Sequence, residues 1–243
     1  MYCGRSRTFC GPGFSVKTPA CFEIIGPPGA GKSTLARELL ACSPRLRLIN
    51  PPQWRAVGDL PFFLRSGARI APVFASLFLD KEGRKPGLKD LSWLMFLDGG
   101  HRRLAAPGPR GFVSLLDQGP VYMLSALSVF HGTGMGRPVL RRWLGRTLSS
   151  WGQRLEGIIS LDADDAVLAG RVNARDQDHI LKGAMESATR EFIMSSRVAF
   201  ERAIGLMGAH RNAQPAFLRF DTGSLSPREI AARVLDEWEF SPQ

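Results

Sequence analysis

Residues 21–34 read CFEIIGPPGAGKST, a short run of mostly apolar residues followed without a spacer by a turn of glycine and proline. Cys21–Ile25 has the apolar character of a strand covered on both faces. Gly26, Gly31, Lys32 and Ser33 then complete the pattern G-x-x-x-x-G-K-[ST], with Pro27, Pro28, Gly29 and Ala30 in the open positions and Thr34 after it. The glycines allow a tight turn whose N–H groups point inward, which makes a cradle for phosphate oxygens. Lys32 has the reach to bridge β- and γ-phosphates, and the Ser33 hydroxyl can ligate Mg²⁺. Leu35, Leu39 and Leu40 fall on one side of the next segment and Arg37 and Glu38 on the other, so a helix follows the loop. Strand, loop and helix in that order are the context a phosphate loop requires, and they decide the fold class.

Outward from this point the pattern repeats. Leu46–Asn50 alternates as a short strand stopped by Pro51-Pro52. Residues 54–79 are apolar and aromatic, and their spacing predicts a helix in two pieces broken near Gly67. A basic loop at 81–89 leads to a helix over Leu91–Leu104, and residues 112–117 (FVSLLD) read as a buried strand. Gly119-Pro120 opens an apolar helix to Phe130, and His131–Gly136 is a loop. Residues 138–155 place Leu140, Trp143, Leu144, Leu148, Trp151 and Leu155 on one helical face. Strands at 157–161 and 216–220, with helices at 163–174, 185–207 and from Pro227 onward, complete the chain. Five apolar strands separated by helices predict an open, mainly parallel α/β sheet with helices on both faces, its ligand site outside the carboxyl ends of the strands.

Composition narrows the class. The 243 residues are 44% hydrophobic and 22% charged, which excludes a disordered chain. No apolar run approaches the ~18–20 residues of a membrane span, and residues 1–20 lack the continuous apolar core of a secretory signal. Those first 20 residues read as a flexible N-terminal arm ahead of a domain at 21–243. Cys3, Cys10, Cys21 and Cys42 form no CxxC pair, so neither a zinc site nor a disulfide framework is expected, and a reducing, cytoplasmic location fits. Residues 1–154 hold 22 basic and 8 acidic groups, whereas residues 155–243 hold 10 and 14. The arginines are scattered and no recognition motif accompanies them, so a pocket for anions is expected and nucleic acid is not.

Two further groups suit the phosphate loop. Asp117 ends the third strand, where a carboxylate can hold Mg²⁺ opposite Ser33, although Asp is also a common turn residue. Arg171 and Arg175 stand four apart on the helix after the fourth strand, so both leave one face. Guanidinium groups suit transferring phosphates, and the polar run Asp176–Ile180 that follows suits a mobile lid over about 171–184. The aromatics and arginines of 54–79 either wall an acceptor pocket or belong to the core.

With these residues in place the sequence resembles the P-loop nucleoside and nucleotide kinases, the thymidylate-kinase-like ones in particular. The resemblance rests on the phosphate loop, Asp117, Arg171-x-x-x-Arg175, Leu161-Asp-Ala-Asp164, Arg197-Val-Ala-Phe-Glu201 and Asp221-Thr-Gly223, and spans about residues 21–240. It implies a three-layer P-loop NTPase fold with a five-stranded parallel sheet in the order 2-3-1-4-5 and a small lid. It further implies ATP as donor with Mg²⁺, Arg171 near the adenine, Arg175 on the transferring phosphate and Thr222 in the adenine loop. Gln118 stands where thymidylate kinases have Arg, and Asn50-Pro51-Pro52 stands in place of their acidic-residue–Pro element. The expected activity is therefore phosphoryl transfer from ATP to a small-molecule acceptor whose identity stays open, as does a homodimer. A regulatory ATPase module without an acceptor is the alternative.

Overall fold

The computed structural model describes residues 21–52, 56–79, 85, 87–105, 112–131, 138–174, 185–209 and 215–238. The expected arm at 1–20, Arg175 with the rest of the lid to 184, and the glycine loop after His131 lie outside the described residues.

Strand β1 (Cys21–Ile25) is buried along its whole length. It is the centre of a five-stranded sheet completed by β2 (Leu46–Ile49), β3 (Val113–Leu116), β4 (Leu155–Asp162) and β5 (Ala216–Asp221), in the order β2-β3-β1-β4-β5. All four ladders are parallel. The expected order is thus the observed one. After β1 the chain fills one side of the sheet with β2 and β3, then crosses to the other for β4 and β5. The reversal leaves a crevice at the carboxyl end of β1, where such sheets bind ligands.

Eight α-helices among the described residues cover the sheet: α1 (Lys32–Cys42), α2 (Leu60–Phe78), α3 (Leu88–Ala105), α4 (Pro120–His131), α5 (Pro138–Gly152), α6 (Asp165–Asn173), α7 (Glu186–Ala209) and α8 (Pro227–Glu237). Side-chain alternation along β1 divides the core in two. Cys21 and Ile25 pack with α2, α3, α4, α5 and the end of α7. Phe22 and Ile24 pack on the opposite face with α1, α8 and the start of α7. Trp151 of α5 is fully buried and donates its indole N–H to the Leu97 carbonyl at 2.8 Å, tying α5 to α3.

Two readings depart from expectation. Leu155, read on the helical face of 138–155, instead opens β4 and pairs with Cys21, because α5 ends at Gly152. The other departure is in α2. Residues 60–78 form a single helix that runs through Gly67 and Pro72, preceded by one 3₁₀ turn at Val57–Asp59. Its buried positions Phe63, Ser66, Ile70, Val73 and Leu77 keep helical spacing on both sides of Gly67, and Gly67 itself lies against Met95 of α3. Burial of that stripe outweighs the ~1 kcal/mol propensity cost of a mid-helix glycine. No helix among the described residues is long and apolar enough to cross a membrane.

Candidate functional site

The loop between β1 and α1 is shaped by glycines in conformations that other residues rarely adopt. Gly26, Gly29 and Gly31 have φ of 151°, 85° and 86°. A Cβ at Gly26 would stand 2.3 Å from the Leu161 carbonyl oxygen of β4, and one at Gly29 would stand 2.6 Å from the Leu168 carbonyl of α6. The loop is therefore pressed against its neighbours by backbone contact. Beside Gly31 the space is open among the described residues. Gly31 is also the N-cap of α1 and brings no capping side chain, so the helix start faces the loop with its partial positive charge. Lys32 curls back over the loop, its Nζ donating to the carbonyls of Gly26 at 2.7 Å and Pro27 at 3.1 Å.

Ser33 and Asp117 meet although 84 residues separate them, because β3 lies directly beside β1. The Ser33 hydroxyl donates to Asp117 Oδ2 at 2.9 Å. Asp117 Oδ1 is buried and has no hydrogen-bond partner among the described residues. A hydroxyl and a carboxylate with an unused oxygen form a hard donor set of the kind Mg²⁺ takes from a protein when phosphates and water supply its remaining ligands. The residues fit that ion.

Arg171, on α6, closes the other flank. Its guanidinium donates to Thr222 Oγ1 at 2.9 Å and to the Thr222 carbonyl at 2.8 Å, with the Gly29 carbonyl 3.5 Å away. Thr222 is held in turn by Asp162, whose carbonyl accepts from the Thr222 backbone N–H at 2.8 Å and from its hydroxyl at 3.1 Å. Between the loop, Arg171 and Thr222 lies a cavity of about 250 Å³ with Ala30, Leu161, Pro227 and Ile230 among its walls. The wall supplied by α8 is fixed by a capping box in which Ser226 and Glu229 exchange hydrogen bonds. Arg197 of α7 clamps the end of β4, with bonds to both Asp162 carboxylate oxygens, to Asp165 and to the Ala163 carbonyl. Burial opposes the Arg197 charge, and the Asp162 and Asp165 hydrogen bonds more than restore it.

The sequence-predicted residues from Gly26 to Thr34, with Asp117, Arg171 and Thr222, thus lie around one crevice. Arg175 lies outside the described residues. The aromatics of 54–79 are divided: Phe63 is core, Phe62 packs edge-on against it, and Phe78 is exposed. The sequence reading passed over Glu23. It sits in the middle of β1 with no exposure, and accepts hydrogen bonds from the N–H groups of Val121 at 2.9 Å and Tyr122 at 2.7 Å. Its signal is a lone acid in an otherwise apolar central strand, a place where an acid is rarely buried without a partner.

No family model and no curated protein matches the sequence. Solved structures do match. Deoxyadenosine kinase of M. mycoides with bound dATP aligns with a TM-score of 0.52 at 10% identity, over 90% of this chain and 99% of that one. The same kinase with bound dCTP gives 0.50 at 14% identity, over 89% and 98%. Thymidylate kinase from Candida albicans gives 0.51 at 16% identity, over 91% and 92%. The chain has the P-loop kinase fold that these deoxynucleoside and thymidylate kinases share.

Proposed function

We propose that the chain is an ATP-dependent phosphotransferase whose acceptor is a small molecule: a nucleotide, a nucleoside or another metabolite. One observation carries the reading: the Ser33–Asp117 pair, with Asp117 Oδ1 buried and unused, lies beside a loop whose conformation residues other than glycine rarely adopt. The cavity of about 250 Å³ beside Arg171 is lined mainly by apolar side chains, with Thr34, Arg171 and Thr222 also in its walls, which suits the base of the donor.

In this reading the loop amides and the start of α1 bind the phosphates, and Lys32 exchanges its carbonyl contacts for phosphate oxygens. Ser33 and Asp117 hold Mg²⁺, which when bound neutralises phosphate charge. Arg171 holds the Thr222 loop against the phosphate loop and so sets the position of the base. An acceptor phosphate arrives ionised and needs no base. An acceptor hydroxyl would lose its proton to a carboxylate, and Asp117 is the one nearest the loop.

The test is transfer of labelled phosphate from ATP to a panel of nucleosides, nucleotides and other phosphorylated metabolites. Wild type is expected to label at least one acceptor class, and Lys32→Ala to lower turnover about 100-fold or more. ATP hydrolysis that no acceptor alters would instead indicate a regulatory ATPase.

A further inference from the structure

Glu23 is held by two parts of one connection. Through its backbone it pairs with Leu116 in the β1–β3 ladder, the residue immediately before Asp117. Through its carboxylate it accepts the N–H groups of Val121 and Tyr122, with a further contribution from Gly119. These amides belong to the first turn of α4, where a helix has no internal acceptor to offer and Pro120 has no N–H to give. Helices usually meet this need with a Ser, Thr, Asp or Asn at the N-cap. Here Gly119 precedes the helix, and a Cβ there would stand 2.5 Å from Glu23 Cδ. The turn is thus packed directly onto the carboxylate, and the cap comes from the strand that bears the phosphate loop.

We propose that Glu23 is a positioning residue for the nucleotide site: by capping α4 from β1 it fixes the Asp117–Pro120 turn and so aims the Asp117 carboxylate at Ser33. This rests on the reading of Ser33 and Asp117 as the magnesium pair. The turn has only Asp117, Gln118 and Gly119 between the end of β3 and Pro120, so an anchor at each end determines where Asp117 stands. A purely structural Glu23 would support stability alone. A positioning Glu23 also sets how strongly magnesium tightens nucleotide binding.

The experiment is calorimetric titration of ADP, in Mg²⁺ and in EDTA, into wild type, Glu23→Gln, Glu23→Asp and Asp117→Asn. Wild type is expected to bind ADP more tightly in Mg²⁺, and Asp117→Asn to lose that gain. Glu23→Gln is expected to lose about tenfold of the gain, as supporting partners of metal ligands do, with its affinity in EDTA unchanged. Glu23→Asp, which keeps the carboxyl group but falls short of α4, should be intermediate. A folded Glu23→Gln with the full magnesium gain, beside an Asp117→Asn that has lost it, overturns the positioning role and leaves the site reading intact. Wild type that binds no ADP overturns both. If neither Glu23 variant unfolds cooperatively, Glu23 serves the fold alone and the proposal falls.

Discussion

At Glu23, burial and hydrogen bonding pull the carboxyl in opposite directions. Burial raises its pKa to about 8, against the lowering effect of the Tyr122, Val121 and Gly119 amides. An exposed carboxyl in the unfolded chain titrates near 4.5. Between these values the folded state binds a proton that the unfolded state has lost, so the Glu23 contribution to stability falls as pH rises from 4.5 to 8, while half-buried His101, lowered by desolvation to about 4, contributes a rise below 6.5. The expected loss is a few kcal/mol. Urea unfolding from pH 6.5 to 8, above the His101 range, should show the fall in wild type and its loss in Glu23→Gln, and an equal slope in both would exclude Glu23 as its source. The loop glycines yield a second comparison. Gly31→Ala meets open space and has only its left-handed backbone against it, a cost of about 1–2 kcal/mol. Gly26→Ala drives a carbon into the Leu161 carbonyl and should cost about 3 kcal/mol or more by the same measurement. At this scale the sequence was readable wherever a fixed spacing carries the chemistry, as at Gly31, Lys32 and Ser33. At Glu23 it offers a lone acid in an apolar strand but not the partners, which lie about a hundred residues away.

Elements were legible where apolar spacing and capping agreed. Helix α8 is the clearest case, with Pro227 in its first turn and Ser226 and Glu229 forming the capping box. Ser226→Ala should lower stability by about 1 kcal/mol in thermal or urea unfolding. Because Pro227 and Ile230 line the cavity proposed for the base, it should also weaken ATP binding, and unchanged affinity would separate the cap from the site. Helix α2 was misread at Gly67 for a reason that belongs to packing. Propensity marks a break there, but the contacts with α3 that keep the helix whole are not written in its own segment.

For the whole molecule, the strand pattern in the sequence indicates a parallel sheet covered on both faces, whereas the order of the strands entered through the resemblance. Order follows from how crossovers pack, and no single segment encodes it. The crevice proposed for the donor was legible because the loop, Asp117 and Thr222 directly follow the carboxyl ends of β1, β3 and β5, and α6, which carries Arg171, follows that of β4. The acceptor half depends on the shape enclosed by separate helices, and one-dimensional spacing does not carry shape. The account as a whole depends on triphosphate capture at the carboxyl end of β1. Calorimetry with a non-hydrolysable ATP analogue and magnesium tests it most directly. The account predicts saturating heat at one ligand per chain, abolished in a Lys32→Ala variant that keeps its circular dichroism spectrum. Folded wild type that gives no heat, or a Lys32→Ala variant that gives the same heat, would contradict it.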